Sequence, residues 1–157
     1  MDQTKRQLTL LFVCTGNTCR SPMAQTIART LLEEQGRKGI QVLSAGTFAW
    51  KESPASLQAR QVMLAQGLNL EDHRATTITE AQLQQADIIL TMTQNQKELL
   101  LEMATDDTTR AKIFTLREFT GDSGDIADPF GQDETVYYQC YKELQASIAN
   151  AINRIQM

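Results

Sequence analysis

Cysteine and histidine are scarce in this chain of 157 residues. It has three cysteines, Cys14, Cys19 and Cys140, and His73 is its one histidine. These side chains do not supply four zinc ligands at ordinary spacing, which argues against a zinc site. Three cysteines also do not suit a disulfide-stapled scaffold and favour a reducing compartment. The sequence therefore predicts a cytoplasmic protein without a metal centre.

Long apolar runs and basic runs are also missing. The longest apolar runs, such as residues 8–14, are far too short to cross a bilayer. Residues 1–7 are polar, and the apolar run after them ends at Cys14 rather than at a small-residue cleavage site. We therefore expect neither a membrane span nor a signal peptide. The net charge of −4 argues against a nucleic-acid partner.

Length and composition are typical of one soluble globular domain. Hydrophobic residues make up 41 % of the chain and charged residues 22 %. A chain of 157 residues supports one sizeable core and is too short for two ordinary domains. We expect residues 1–157 to form a single domain.

Apolar runs alternate with segments of helical periodicity. Strands are predicted over 8–13, 40–45, 87–92 and 112–116. Helices are predicted over 23–35, 53–66, 94–103 and 134–155, and a short helix begins at Thr79. Strands that alternate with helices form a parallel sheet. The predicted fold is α/β, a small doubly wound parallel four-stranded sheet with helices on both faces.

The most informative segment follows the first predicted strand and reads Cys14-Thr15-Gly16-Asn17-Thr18-Cys19-Arg20-Ser21-Pro22. A strand, a tight loop and a helix start point backbone N–H groups and the positive end of a helix into the loop. Cys14 and Arg20 bracket the loop, so a thiolate and a guanidinium face the same small volume. The thiolate is the nucleophilic form of cysteine, and the arginine fork suits two phosphate oxygens. This arrangement indicates attack on phosphorus.

Other loop residues also suit an anion site. Gly16 permits positive φ and close approach of the backbone to a ligand, and Asn17 tolerates the left-handed region. Successive N–H groups form an anion-binding nest. Ser21 is a candidate helix cap with Pro22 at the first helical position, and its hydroxyl is also placed to donate to Cys14. The loop does not end in Gly-Lys-Ser/Thr, which disfavours ATP or GTP as ligand.

Residues 14–24 resemble the phosphate-binding loop of the low-molecular-weight protein tyrosine phosphatase family, most closely its bacterial protein arginine phosphatase branch. The likeness covers nearly the whole chain, through Ser44-Ala45-Gly46, Asp72-His73-Arg74, residues 86–92 and Asp128-Pro129-Phe130-Gly131. The resemblance implies that phosphate is bound by Thr15, Gly16, Asn17, Thr18, Cys19 and Ser21. It also implies that His73 supports the loop by bonding Asn17.

A proton donor for the leaving group is the second requirement of phosphoryl transfer. Spacing alone does not choose among the acids of the long loop after the last strand, which are Asp122, Asp125, Asp128 and Asp133. The alternative for an Asp-Pro dipeptide is an ordinary turn. The family resemblance selects Asp128, because the general acid precedes proline in that motif.

Cys19 has two interpretations. It closes a Cys-x4-Cys segment with Cys14, so the two thiols share one pocket and a disulfide protects an oxidised Cys14 from further oxidation. Alternatively, Cys19 is a small packing residue. We expect Cys140, in the last helix, to be an ordinary half-buried cysteine.

The resulting hypothesis is a protein phosphatase that hydrolyses phosphoarginine through a cysteinyl-phosphate intermediate. Its catalytic residues are Cys14, Arg20 and Asp128. No metal or cofactor is needed, because Arg20 and the helix N-terminus carry the positive charge.

A low-molecular-weight tyrosine phosphatase is the alternative. Arsenate reduction is disfavoured because no cysteine lies between Cys19 and Cys140, and a silent phosphate-binding module is disfavoured by the complete catalytic set. The expected partners are phosphorylated proteins.

Substrate choice is assigned to the loop and to the aromatic residues around it. Thr18 is expected to favour phosphoarginine, because tyrosine-specific members of the resembled family carry a larger apolar residue there. Alternatively, selectivity is set by Phe130 and residues 47–50. Phe130-Gly131 also stands where the tyrosine phosphatase branch shows tyrosines, which alters the pocket wall.

Overall fold

The sheet has four parallel strands. A computed structural model describes residues 7–155, and residues 1–6 and 156–157 lie outside this range. The strands are β1 (Leu8–Cys14), β2 (Ile40–Gly46), β3 (Ile88–Thr91) and β4 (Ile113–Thr115). Their order is β2-β1-β3-β4, and each neighbouring pair is parallel. The predicted parallel four-stranded sheet is confirmed.

The central strand β1 owes its place to an unbroken apolar run. Leu10, Leu11, Phe12 and Val13 are all buried. Alternate side chains of a strand point to opposite faces of a sheet. Leu10 and Phe12 therefore join one core cluster, and Leu11 and Val13 join the other. A strand whose apolar residues do not alternate with polar ones is stable only in a sheet that is covered on both faces.

Helices follow the strands along the chain. They are α1 (Arg20–Glu34), α2 (Leu57–Ala65), α3 (Glu80–Gln85), α4 (Gln94–Met103), α5 (Asp107–Arg110), α6 (Leu116–Phe119) and α7 (Glu134–Arg154). α1, α2 and α7 pack on one face through residues such as Met23, Met63 and Leu144. α3 and α4 pack on the other through Leu83 and Leu100. Within residues 7–155, none of these helices is both long and apolar enough to span a bilayer.

The start of α1 differs from the prediction. The helix begins at Arg20, so Ser21 lies inside it rather than capping it, and Cys19 occupies the N-cap position without a side-chain capping hydrogen bond. The predicted Ser21 cap is therefore wrong. The hydroxyl of Ser21 is turned to the sulfur of Cys14 instead, 3.0 Å away.

The start of α2 is also later than predicted. The prediction placed it at residue 53, whereas it begins at Leu57. Ser56 is the N-cap, and its side chain accepts a hydrogen bond from the N–H of Ala59. Residues 53–56 have no regular secondary structure, and Ser53 lines the cavity beside the loop after β1.

Local capping defines the shorter helices. Thr79 caps α3 through a reciprocal capping box with Gln82, which confirms the predicted start. The helices α5 and α6 have four residues each, capped by Asp106 and Thr115. Four residues are too few to show helical periodicity, so the sequence pattern does not predict these two helices.

Gly46 ends β2 in register with Cys14, directly beneath the loop after β1. A Cβ atom at Gly46 would lie 2.4 Å from the carbonyl oxygen of Thr15 and 3.1 Å from the nitrogen of Asn17. Both neighbours are backbone atoms, so they give way only if the loop itself moves. The close packing of loop on strand therefore requires glycine at this position.

We expect Gly46→Ala to lower the free energy of unfolding by about 1–3 kcal/mol, because overpacking forces the loop backbone aside. Urea unfolding measures this change. Gly16→Ala is the matched control, since its Cβ would meet only Thr18 Oγ1 at an ordinary 3.6 Å. Equal stability of the two variants would contradict the account.

Candidate active site

Residues 15–19 form the connection between β1 and α1 at the carboxyl edge of the sheet. A cavity of about 240 Å³ opens above this loop. It is lined by Cys14, Thr15, Gly16, Thr18, Cys19, Arg20, Trp50, Ser53, Asp128 and Phe130. The structure thus brings all three predicted catalytic side chains to one cavity. Among residues 7–155, no group of three or more His, Cys, Asp or Glu side chains is placed to hold a metal ion.

The sulfur of Cys14 lies at the base of the cavity and is surrounded by donors. The backbone N–H of Asn17 donates to Sγ over 3.3 Å. Ser21 Oγ lies 3.0 Å from Sγ and accepts from the Asn17 side-chain amide at 2.7 Å. The Ser21 hydroxyl also lies 3.5 Å from the carbonyl oxygen of Ala45, so the sulfur, at 3.0 Å, is the nearer acceptor for its proton. Together with the N-terminus of α1, these donors stabilise negative charge on Cys14.

Asn17 fixes the shape of the loop. It is fully buried and adopts a left-handed conformation with φ of 56°. Its side-chain amide donates to Ser21 Oγ and to Ser44 Oγ, the latter over 3.1 Å. Its Oδ1 accepts from the N–H of Thr76 at 3.0 Å, and its carbonyl lies 2.6 Å from His73 Nε2. The expected contact between His73 and Asn17 is confirmed.

Gly16 does not have a left-handed backbone conformation. The left-handed residue of the loop is Asn17, and Gly16 is not among the residues with positive φ. A Cβ at Gly16 would meet only a side-chain oxygen at an ordinary distance. The loop therefore does not use the positive φ that Gly16 permits, and Gly16 serves the loop by leaving the cavity floor open.

His73 acts here as a neutral hydrogen-bond donor. A carbonyl oxygen only accepts, so the proton of the ring lies on Nε2, which donates to Asn17. Burial lowers the pKa of His73 from its ordinary 6.5, and the nearby charges of Arg74 and Arg29 lower this pKa further, against the opposing effect of the Asn17 bond. The His73 imidazole that supports the loop is therefore uncharged at neutral pH.

Arg20 is held by one half of its guanidinium. Its side chain is almost fully buried, and Nη1 donates to the carbonyl oxygen of Ile126 at 2.9 Å. Nη2 lies 3.5 Å from Asp128 Oδ2. Nε is buried and has no hydrogen-bond partner within residues 7–155. The anchored half fixes the orientation of the fork, and an orphaned buried donor fits an oxyanion in the cavity.

Asp128 is distinguished from its neighbours by its surroundings. Asp125 accepts from the N–H of Gln94, Asp133 caps α7, and Asp122 lies within 3.4 Å of the Thr120 hydroxyl. Asp128 lines the cavity instead. The N–H of Phe130 donates to its Oδ1 at 3.0 Å, which orients the carboxyl group toward the cavity.

Gln96 supports the loop from a neighbouring element, and the sequence carried no signal for it. This buried side chain on α4 donates from Nε2 to Thr15 Oγ1 at 3.0 Å. Its Oε1 accepts from the N–H groups of Met92 and Thr93. Gln96 thereby ties the loop after β1 to the end of β3. Only the fold brings these distant segments together.

The thiol of Cys19 belongs to a closed group of three hydrogen-bonding side chains. Its Sγ lies 3.2 Å from Tyr137 Oη and 3.5 Å from Ser56 Oγ, and Ser56 donates to Tyr137 over 3.3 Å. Burial, followed by the bond to Cys19, raises the pKa of Tyr137, so Tyr137 keeps its proton. Neither Tyr137 nor Ser56 was a sequence-based candidate.

The other cysteine and the aromatic residues frame the site. Cys140 is buried, and burial raises the pKa of its thiol to about 12, which keeps it an unreactive thiol. Trp50 and Phe130 line the mouth of the cavity and are 80 % and 68 % exposed. Phe48 is also exposed, and its N–H donates to the carbonyl of Thr15.

A loop of N–H donors at the edge of a parallel sheet, with a thiol at its base and a guanidinium at its side, defines an enzyme that handles phosphoryl groups. Residues 9–157 match the low molecular weight phosphotyrosine protein phosphatase family. This chain belongs to that family and is a phosphatase.

Similar proteins include two kinds of phosphatase. A protein-arginine-phosphatase of Geobacillus stearothermophilus is 39 % identical over 148 residues, which are 94 % of this chain and 95 % of that protein. The low molecular weight protein-tyrosine-phosphatase PtpB of Staphylococcus epidermidis is 38 % identical over 135 residues, 86 % of this chain and 90 % of the relative. The crystal structure of a low molecular weight protein tyrosine phosphatase from T. tengcongensis matches with a TM-score of 0.90 and 39 % identity, covering 95 % of this chain and all of the other.

We expect the stability contributed by His73 to depend on pH. Its pKa is lower in the folded protein than in the unfolded chain, so protonation favours unfolding. The contribution is complete above pH 6.5 and declines as the pH falls below that value. Urea unfolding of the wild type and of His73→Gln at pH 8 and pH 5 measures it. The stability advantage of the wild type should shrink at pH 5, and a constant difference would refute the neutral ring.

Proposed function

We propose that this phosphatase hydrolyses phosphoarginine on proteins through a phosphorylated Cys14. The observation that carries the proposal is the meeting of Cys14, Arg20 and Asp128 around one small cavity. The choice of arginine is supported by the similarity to the protein-arginine-phosphatase of Geobacillus stearothermophilus. The acting unit is a single domain spanning residues 1–157, located in the cytoplasm and acting on phosphorylated proteins.

In the first step the thiolate of Cys14 attacks phosphorus in line with the leaving guanidine. The S–P bond forms while the P–N bond breaks, and Asp128 gives its proton to the leaving nitrogen. The loop N–H groups, together with Nε and Nη2 of Arg20, hold the three equatorial oxygens. As the P–N bond pair returns to nitrogen, this proton from Asp128 restores the positive charge, so the side chain leaves as an ordinary arginine guanidinium.

In the second step water attacks the cysteinyl phosphate. Asp128, now a carboxylate, takes a proton from that water as the O–P bond forms and the S–P bond breaks. The departing sulfur regains its negative charge, which the hydroxyl of Ser21 and the N–H of Asn17 stabilise at 3.0 and 3.3 Å. The same donors therefore serve attack in one step and departure in the next.

A structural relative supports a covalent intermediate. YwlE arginine phosphatase, in a variant with serine in place of cysteine, has been seen with a phosphorylated active-site serine. That structure is 33 % identical to this chain with a TM-score of 0.88, and the match covers 94 % and 95 % of the two chains. A residue that accepts phosphoryl at the active site is what the proposed mechanism requires of Cys14.

The second candidate is a tyrosine phosphatase. It is favoured by the relatives named protein-tyrosine-phosphatase, which reach 38 % identity. The proposed chemistry of Cys14, Arg20 and Asp128 serves both substrates. The difference lies in the leaving atom and in the side chains around it, among which Thr18 and the exposed aromatics Trp50 and Phe130 line the cavity.

Asp128→Asn should slow hydrolysis by about 100-fold or more where the leaving group needs a proton. Phosphoarginine peptide is such a substrate, and p-nitrophenyl phosphate, whose leaving group departs as an anion, should be affected much less. Single-turnover rates for both substrates measure the contrast. Asp125→Asn is the control, because Asp125 caps the backbone at Gln94. An equal loss for both substrates would point to another acid.

Thr18→Ile should shift the ratio of kcat/KM toward phosphotyrosine. The hydroxyl of Thr18 lies in the loop that surrounds phosphorus, where it offers a hydrogen bond that an alkyl group lacks. The ratio is measured with phosphoarginine and phosphotyrosine peptides of matched sequence, and Thr18→Ser is the control that keeps the hydroxyl. An unchanged ratio would remove Thr18 from the account. A wild-type preference for phosphotyrosine would overturn the proposed substrate.

We further propose that Cys19 protects Cys14 from irreversible oxidation. Peroxide oxidises the Cys14 thiolate to a sulfenic acid and is itself reduced, and the Cys19 thiol then forms a disulfide with release of water. Mild peroxide should inactivate the wild type reversibly, whereas Cys19→Ala should lose activity that dithiothreitol does not restore. Peptide mapping should recover Cys14 and Cys19 linked. Full recovery of the variant would leave Cys19 as a packing residue.

A further inference from the structure

We propose that a second cavity, behind the catalytic loop, binds a phosphorylated polyol such as a sugar phosphate. This groove between Arg29 and Arg74, called here the arginine groove, has a volume of about 560 Å³. Its lining residues and those of the catalytic cavity have no member in common. The inference does not depend on the proposed substrate of the catalytic cavity.

The two arginines are fixed by neutral groups. Nη2 of Arg29 donates to the carbonyl of Val42 at 2.7 Å. Nη1 of Arg74 donates to the carbonyls of His73 and Glu71 at 2.7 and 3.1 Å. Carbonyl anchors orient a guanidinium without neutralising it. Both guanidinium groups therefore have further N–H donors available.

Carboxylates do not neutralise this charge. Within residues 7–155, neither Arg29 nor Arg74 lies within 4.0 Å of a carboxylate oxygen. Asp72 is the one acid in the lining of the groove, and neighbouring Glu71 faces Arg60 at 3.8 Å. Two guanidinium groups against one carboxylate leave the groove positive. Oriented arginines with spare donors are the usual partners of phosphate.

The rest of the lining suits a polyol. The groove is lined by the amides of Asn69 and Gln82 and by the hydroxyls of Thr26 and Thr76. Gln25 and Ser44 also line it, but they already bond each other and Val42. Amides and hydroxyls both donate and accept hydrogen bonds, as sugar hydroxyls do. The groove is also more than twice the volume of the catalytic cavity, at about 560 against 240 Å³. It therefore has room for an organic body in addition to a phosphate.

The groove is joined to the catalytic loop through Asn17. His73 lines the groove and bonds the Asn17 carbonyl. Ser44 accepts from the Asn17 amide and donates to Gln25 Oε1 at 2.8 Å. A ligand in the groove thus contacts residues that hold the loop. An anion beside Arg29 and Arg74 also opposes their effect on His73, whose pKa they lower.

The imidazole signal of His73 is assigned without ambiguity, because it is the only histidine of the chain. Its imidazole signal is followed by NMR over pH in the Cys14→Ser protein, which keeps phosphoesters intact. The probes are inorganic phosphate and glucose 6-phosphate. Both should raise the pKa of His73 in proportion to occupancy, and glucose 6-phosphate should bind more tightly.

Removal of the two charges separates the groove from the catalytic cavity. Arg29→Gln/Arg74→Gln should weaken glucose 6-phosphate binding by about tenfold or more, since charge-assisted hydrogen bonds are lost. Arg29→Lys/Arg74→Lys should retain most of the pKa response. Arg110→Gln/Arg154→Gln removes two exposed arginines outside the groove and should leave binding unchanged.

Two results would overturn the proposal. The first is the same affinity for glucose 6-phosphate with and without the groove arginines, which would assign the whole response to the catalytic cavity. The second is equal affinity for inorganic phosphate and glucose 6-phosphate, which would contradict the polyol assignment. If the double Gln variant does not fold, the single variants Arg29→Gln and Arg74→Gln provide the same comparison.

Discussion

The catalytic loop depends on the burial of one side chain, that of Asn17. Its side-chain amide and its backbone carbonyl are both removed from water. The amide bonds Ser21 in α1, Ser44 in β2 and Thr76 in the chain after α2, and the carbonyl bonds His73 in that same chain segment. A buried polar group without a partner costs about 1–3 kcal/mol. The left-handed backbone at Asn17 is stable only because these contacts fix it. The geometry of this loop is therefore determined by contacts from β2, from α1 and from the chain after α2.

The chemistry follows from that rigidity. Donors converge on Cys14, and Arg20 is oriented by Ile126 while its Nε has no hydrogen-bond partner in the part of the chain described. Preorganised donors stabilise charge without reorganising during the reaction, which is where most electrostatic catalysis arises. Asp128 stands on a loop whose Ile126 N–H bonds the Met92 carbonyl at the end of β3. The proposed nucleophile, the proposed anion cradle and the proposed acid therefore all lie at the same edge of the sheet.

The loop itself was predictable from sequence because it is continuous. An apolar strand, residues 14–22 and a helix follow one another, so local rules give the geometry. The residues that hold the loop were harder to predict. Gln96 and Tyr137 come from distant segments, and nothing in their neighbourhoods distinguishes them from ordinary helix residues. Gly46 belongs to a segment that shares the family resemblance, but its contact with the loop is revealed only by the fold. Helix starts at α1 and α2 shifted because the hydroxyls of Ser21 and Ser56 serve tertiary and capping contacts that spacing does not reveal.

The central claim is that Cys14 carries the phosphoryl group during turnover. Rapid quenching of the enzyme with excess phosphoarginine peptide, followed by peptide mapping at neutral pH, tests it most directly. The account predicts a transient phosphate on the peptide that contains Cys14, formed and lost at rates that sustain turnover. It also predicts one oxygen from water in the released phosphate. Turnover without a phosphoenzyme, or with the phosphate on another residue, would contradict the account.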